Sequence, residues 1–274
     1  MVLPSRFAPV APELPAHSDD SDEEDPYFLL CGQADKAVAD ENYEEAAARL
    51  LDAMMVKPDS PFNPLLLSNL GMIYSCLGRD SLALETLDEA HRREPALRRA
   101  IENRALVLLK MGSDKDAFRD FSDVIEADSV NLEARYYRGL IALYGGNPEI
   151  AETDFNMLRR LAPASVETAR ALSSLYSLTG RDAEAIPYFR SLVEREPSPE
   201  YYAGLAGCYL AVGKLSEAGT SLAEGLAAYP EDPELYYYRA WLNRDRYLLD
   251  DARADARMAI RLGANPKRVN ALFK

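Results

Sequence analysis

Two histidines, three cysteines and a set of arginines matched by aspartates are the side chains in this 274-residue sequence best suited to chemistry. His17 stands in an acidic, proline-rich stretch and His91 among charged neighbours, so neither has a nucleophile or a metal-ligand set beside it. Cys31, Cys76 and Cys208 are odd in number and lack metal-ligand spacing, which points to free thiols in a reducing compartment. The run Gly207-Cys208-Tyr209-Leu210-Ala211-Val212-Gly213-Lys214-Leu215 superficially resembles a phosphate loop. It has five residues between its glycines instead of four, no Ser or Thr after the lysine, and no strand before it. With no catalytic set and no ligand cluster, the residues predict a non-enzymatic chain without cofactor or metal.

Charge narrows the partners. A net charge of −14 opposes binding to nucleic acid, where neutralising Lys and Arg supply the affinity. No apolar run approaches the roughly 18 residues that span a bilayer, and the N-terminus lacks a charged stretch followed by an apolar one. The expectation is a soluble cytoplasmic protein without membrane insertion.

The elements that must position any working side chains show themselves by repetition. An alanine returns at Ala46, Ala83, Ala117, Ala151, Ala185, Ala218 and Ala252, at spacings of 37, 34, 34, 34, 33 and 34 residues. Twelve residues before each stands another small residue: Ala34, Gly71, Ala105, Gly139, Ser173, Ala206 and Ala240. Two helices touch where small residues meet, so each unit reads as helix, turn, helix, turn, over 27–60, 64–97, 98–131, 132–165, 166–199, 199–232 and 233–266. Gly78, Gly112, Gly146, Gly180 and Gly213 mark the inner turns, where glycine supplies a left-handed cap. Pro58, Pro95, Pro163, Pro197 and Pro230 end the second helices, and Pro64, Pro199 and Pro233 open helices where a missing N–H costs nothing. Residues 1–26 carry no apolar face and hold the run Ser18-Asp19-Asp20-Ser21-Asp22-Glu23-Glu24-Asp25; they are expected to form a disordered acidic tail. Residues 267–274, with Val269, Leu272 and Phe273, are expected to form a stub or partial cap over the end of the stack.

These features resemble the tetratricopeptide repeat family, whose units carry large residues at positions 4, 7, 11 and 24, small ones at 8, 20 and 27, and proline at 32. The second unit shows the pattern as Leu67, Leu70, Gly71, Tyr74, Ala83, Leu87, Ala90 and Pro95, and the fifth as Leu172, Ser173, Tyr176, Ala185, Phe189, Leu192 and Pro197. The first unit departs from it with Ala37 where an aromatic is usual, and the seventh with Asn243 there and no glycine in its inner turn. The resemblance implies an all-α, right-handed α-solenoid of about seven helix-turn-helix repeats whose first helices line a concave groove.

Because the units align with one another, covariation can be sought inside one sequence. Arg104, Arg138 and Arg239 occupy the seventh position, and those three units alone carry Asp at position 23: Asp120, Asp154 and Asp255. Each Arg is expected to pair with its Asp across the two helices of its unit, as structural ion pairs rather than a site. Glu133, Glu167, Glu200 and Glu234 recur in the first turns of first helices, where a carboxylate favours the positive helix end. Arg98 and Arg99 do the reverse and therefore carry more information, with Glu102 available to pair with them.

Carried across residue by residue, the family's groove positions imply a peptide-binding surface of Arg99, Lys110, Tyr136, Tyr144 and Arg170, continued by Tyr237, Trp241 and Arg244. Aromatic and Arg mixtures are what interaction hot spots contain. One branch of the family clamps the carboxylates of chaperone tails. The corresponding positions here hold Cys31, Asp35, Asn69, Arg99 and Asn103, of which only Asn69 matches outright, so that ligand is disfavoured. RNA binding of the pentatricopeptide kind is opposed by period, turn prolines and charge.

Residues 1–26 sum to −6 and residues 239–274 to +5, so a weak homo-association of tail with basic end is a further expectation. The reading is an adaptor or scaffold that binds a protein or peptide partner in its groove. The alternative is a structural or assembly subunit that uses its ends and convex face.

Overall fold

The computed structural model describes residues 25–274; residues 1–24, which hold most of the expected acidic tail, lie outside the described residues. Those described form fifteen α-helices and no strand, in two compact units that part after Ile141.

The first unit contains α1 (Pro26–Ala39), α2 (Tyr43–Val56), α3 (Asn63–Cys76), α4 (Asp80–Arg93), α5 (Arg98–Lys110), α6 (Asp114–Ala127) and most of α7 (Leu132–Tyr144). The helix starts follow from local chemistry. Asp25 caps α1 by accepting from the Tyr27 N–H at 3.0 Å, with Pro26 in the first turn, so the fold begins slightly ahead of Tyr27. The α1–α2 and α3–α4 pairs close where the small residues predict: Ala34, Ala46 and Ala83 are fully buried. Gly71 makes room for a neighbour, since a Cβ on it would stand 2.5 Å from Leu87 Cγ of α4.

The second unit holds the end of α7, then α8 (Pro148–Leu161), α9 (Val166–Leu178), α10 (Asp182–Arg195), α11 (Pro199–Ala211), α12 (Leu215–Ala228), α13 (Pro233–Asp245), α14 (Leu249–Arg261) and the short α15 (Pro266–Ala271). Ser165, Ser198 and Asp232 cap α9, α11 and α13 through their side-chain oxygens. Ala206, Ala218, Leu222 and Leu235 lie at the centre of a core on which Tyr202, Tyr209, Tyr238 and Trp241 pack. The expected stub is α15, whose Val269 and Leu272 are buried against Tyr237, Ala240 and Ala259. Pro187 sits inside α10, and nothing in the structure explains it.

One backbone device recurs in both units. Five residues before each alanine of the period the chain turns left-handed, at Glu41, Gly78, Gly112, Gly146, Gly180, Gly213 and Tyr247, with φ from 57° to 82°. The N–H that follows closes onto the carbonyl five residues back at 2.7–2.8 Å, as from Arg79 to Tyr74 and from Arg181 to Tyr176. The first and seventh repeats, which lack an inner-turn glycine, adopt the same conformation regardless. Glu41 and Tyr247 occupy it at the expense of the contact between Cβ and backbone that glycine avoids.

Candidate partner-binding surface

The arginines of the seventh position are held by their own scaffold. Arg104 of α5 donates to Asp120 of α6 through Nε at 2.7 Å and Nη2 at 2.9 Å, and through Nη1 to Asp88 of α4 at 3.0 Å. Hydrogen bonding to Asp120 raises the Arg104 pKa further above its ordinary value. Arg239 of α13 makes the same fork to Asp255 of α14, at 2.9 and 2.6 Å, and Asn243 adds a bond to Asp255 at 2.9 Å. Asn243 thus stands in for the usual aromatic as a third member of a polar group centred on the buried Asp255. Arg138 lies over the Phe118 ring, 5.9 Å from its centroid, and reaches Ser122 Oγ at 3.4 Å within the first unit; Asp154 is fully buried in α8 of the second.

Most of the groove arginines, lysines and aromatics inferred from the family pattern are engaged elsewhere. Lys110 donates to the Ser75 carbonyl at 2.7 Å and pairs with Asp80 at 2.6 Å, so it joins one repeat to the previous one. Arg170 donates from Nε to the Tyr201 hydroxyl at 2.8 Å and pairs with Glu196. Arg244 is tied to Asp245 at 2.6 Å and to the Leu272 carbonyl at 3.1 Å, which fastens α15 onto α13. Tyr136 and Tyr237 are buried, the first edge-on to Tyr137 and the second under the Arg268 guanidinium 4.0 Å from its ring centre. All five make contacts within the scaffold, and Lys110 stays exposed beside its partners. Sequence assigns a side chain to a face, but neighbouring repeats decide whether that face stays open. Trp241 is half-buried, stacks on Tyr238 and donates its indole N–H to Asp245 at 2.9 Å.

Two of the inferred residues remain available. Arg99 is half-buried with no ion pair or hydrogen bond among the described residues, because Glu102 instead accepts from Asn131 at 2.6 Å and meets Arg98 at 3.5 Å. Tyr144, at the end of α7, is 59% exposed. Two further apolar side chains are open to water: Leu178 is 60% exposed at the end of α9, and Val212 is 38% exposed after α11. Tyr144 and Leu178 each end a first helix seven residues before the periodic alanine, so they hold the same place in consecutive repeats, whereas Val212 stands six before Ala218, one place further on.

Titratable groups follow burial. It pushes the Cys31 thiol up to about 11, the Cys208 thiol up to about 12, and Cys76 upward as well, which keeps all three protonated and poor nucleophiles at neutral pH. Burial also lifts the Asp35 carboxyl on α1 to about 6. The amide nitrogen of Asn69 and Nδ1 of His91 are buried without a hydrogen-bond partner, so His91 is more enclosed than its charged neighbours suggest. A recess of about 370 Å³ between Tyr27, Phe28, Pro58 and Phe62 has Lys57 as its cation, and Asp25 already neutralises it. Residues Gly207 to Ala211 of the phosphate-loop likeness lie within α11. Among the described residues no group of three or more His, Cys, Asp or Glu could hold a metal ion, and no helix is long and apolar enough to cross a membrane.

Comparison with known proteins agrees with this geometry. Models described as tetratricopeptide repeat match residues 138–202 and 171–233, and a second such model matches residues 66–99. Photosystem I assembly protein Ycf3 of Dioscorea elephantipes is 30% identical over 125 residues, which are 46% of this chain and 72% of that protein. A crystal structure of a tetratricopeptide repeat protein from Parabacteroides merdae superposes with a TM-score of 0.65 at 25% identity, covering 90% of this chain and 97% of that one. PilF of Pseudomonas aeruginosa shares the fold with a TM-score of 0.69 at 16% identity, covering 78% of this chain and 97% of that one. Helix pairs of one period, their small-residue contacts and these matches together establish an α-solenoid, and the chain belongs to the tetratricopeptide repeat family.

Proposed function

We propose that this chain is a non-enzymatic adaptor, working in the cytoplasm, that holds a segment of a partner protein along the inner helices of its second unit. A tetratricopeptide solenoid is a protein-interaction module in general terms, and relatives carry names of that kind, such as an assembly protein and a pilus biogenesis factor. The observation that carries the finer reading is the run of Tyr144, Leu178 and Val212. Large apolar side chains left open to water at one position of two consecutive repeats, with a third one place further on in the next, mark an interaction surface. Tyr144 suits the role of anchor because an aromatic ring offers a large contact area with little rotamer entropy to lose. The charged groups nearby are engaged within the scaffold, as Arg170 is, so apolar contact supplies the affinity and backbone polar groups of the segment supply the register.

Replacing Tyr144 and Leu178 together by serine tests this. Both are exposed, so helicity and melting temperature should stay within the range of a surface change, about 0.5 kcal/mol each. Partners retained by the native chain on an affinity matrix and quantified by mass spectrometry should be lost. Unchanged retention by a folded double variant would remove this surface from the account.

A further inference from the structure

The seventh repeat ends in a row of like charges. Arg253, Arg257 and Arg261 stand at i, i+4 and i+8 on α14, all exposed. Counted from the periodic alanine, their counterparts are Leu84, Asp88 and Arg92 in the second repeat, Ile186, Arg190 and Glu194 in the fifth, and Gly219, Ala223 and Ala227 in the sixth. In the sixth repeat the first of the trio faces the hairpin that follows: Gly219 lies against Arg246 and Leu242 of the seventh repeat. The helix that follows, α15, places Val269 and Leu272 in the core and leaves the three arginines open.

A helix face open to water needs polar side chains, and side chains of either sign satisfy that need. Three cations at four-residue spacing instead repel one another. They do so in a chain of net charge −14 whose preceding outer helix, α12, carries Glu217 and Glu224 and no base. Arg257 and Arg261 have no ion pair among the described residues, and Arg253 meets only Asp250, at 3.8 Å. Of the other acids of the helix, Asp255 is taken by Arg239 and Asn243. Lys267 and Lys274 follow, also exposed.

We propose that this stripe docks the acidic run Asp19, Asp20, Asp22, Glu23 and Glu24 of a second copy of the chain, joining copies head to tail. The run carries five carboxylates in six residues and ends immediately before Asp25, whose side chain caps α1 and pairs with Lys57. It is therefore tethered at the first repeat. Between two molecules this is a heterologous contact that salt screens readily.

Sedimentation velocity of the full chain over a range of concentrations, at low and at high salt, tests the assignment. The native chain should sediment faster as concentration rises at about 20 mM salt and lose that dependence at about 300 mM. Arg253→Gln, Arg257→Gln and Arg261→Gln together should lower the association constant at least about tenfold, as should neutralising the acidic run. A copy with Glu at the three arginine positions, mixed with one carrying Lys through residues 19–24, should recover association that neither gives alone. A native chain that stays monomeric at low salt, an association that survives the triple substitution, or a salt-dependent compaction independent of concentration would each overturn the proposal.

Discussion

The guanidinium of Arg104 and the carboxylate of Asp120 meet through two parallel hydrogen bonds, 2.7 and 2.9 Å long, between the two helices of one repeat. Their side chains keep only 19% and 6% of their exposure, so neither charge is well solvated by itself. Asp120→Ala should therefore destabilise the chain by about 3 kcal/mol, the lower end for a broken buried pair, because Asp88 still partners the arginine. Arg104→Met with Asp120→Leu should recover most of the loss. Urea unfolding of the three proteins measures both, and a single variant as stable as the native chain would show the fork to be energetically idle.

Tyr247 holds the left-handed turn that glycine holds in five other repeats. Left-handed backbone costs a non-glycine residue roughly 1–2 kcal/mol, and glycine returns part of that through the unfolded chain. Tyr247→Gly should raise stability by about 0.5–1 kcal/mol, whereas Gly180→Ala, at φ 70°, should lower it by about 1 kcal/mol. Denaturation midpoints of both variants, compared with the native chain, decide the sign.

Asp35 gives the fold a pH dependence opposite to that of a paired carboxylate. Its pKa is raised by burial from 3.8 to about 6, so between those values the folded chain keeps a proton that the unfolded chain releases. Stability from this group is greatest below pH 4 and is lost as pH rises through about 6. Asp35→Asn should flatten that part of the profile and leave the variant the more stable of the two at pH 7. Unfolding measured at steps from pH 4 to pH 7 shows it; parallel profiles would mean that the carboxyl is solvated.

Val269 is the buried centre of α15 against the last hairpin. Val269→Asp should detach that helix at roughly 3 kcal/mol, since an unpaired carboxylate replaces a buried methyl pair. Amide exchange should then quicken in α13 and α14 before it does in α9 and α10, because repeats unravel from an uncovered end. Uniform loss of protection would indicate that α15 contributes nothing particular to the end.

The backbone devices were readable in advance because each is local. A glycine five residues before an alanine, or a proline one residue past a helix cap, constrains its own few residues whatever surrounds them. The Arg–Asp pairing was readable for a related reason: both partners belong to one hairpin, sixteen residues apart, and recur in register. Groove accessibility was not readable, because it depends on partners in other repeats. The bonds of Lys110 to Ser75 and Asp80, and of Arg244 to Asp245 and the Leu272 carbonyl, come from packing that no spacing in the sequence announces. Leu178 and Val212 pack too little to be hidden, which only the exposure of each side chain reveals.

The inner turns and the outer turns differ in what they permit. From small residue to alanine the count is twelve in every repeat, while the distance from one repeat to the next runs from 33 to 37 residues. The surplus of the longest interval falls in the connection between α2 and α3, where Asp59, Ser60 and Pro61 form turns that carry no closing bond of the left-handed kind. Growth, grafting or cleavage of this polypeptide is thus confined to one class of joint, and a binding loop engineered into it belongs after a second helix, never inside a hairpin.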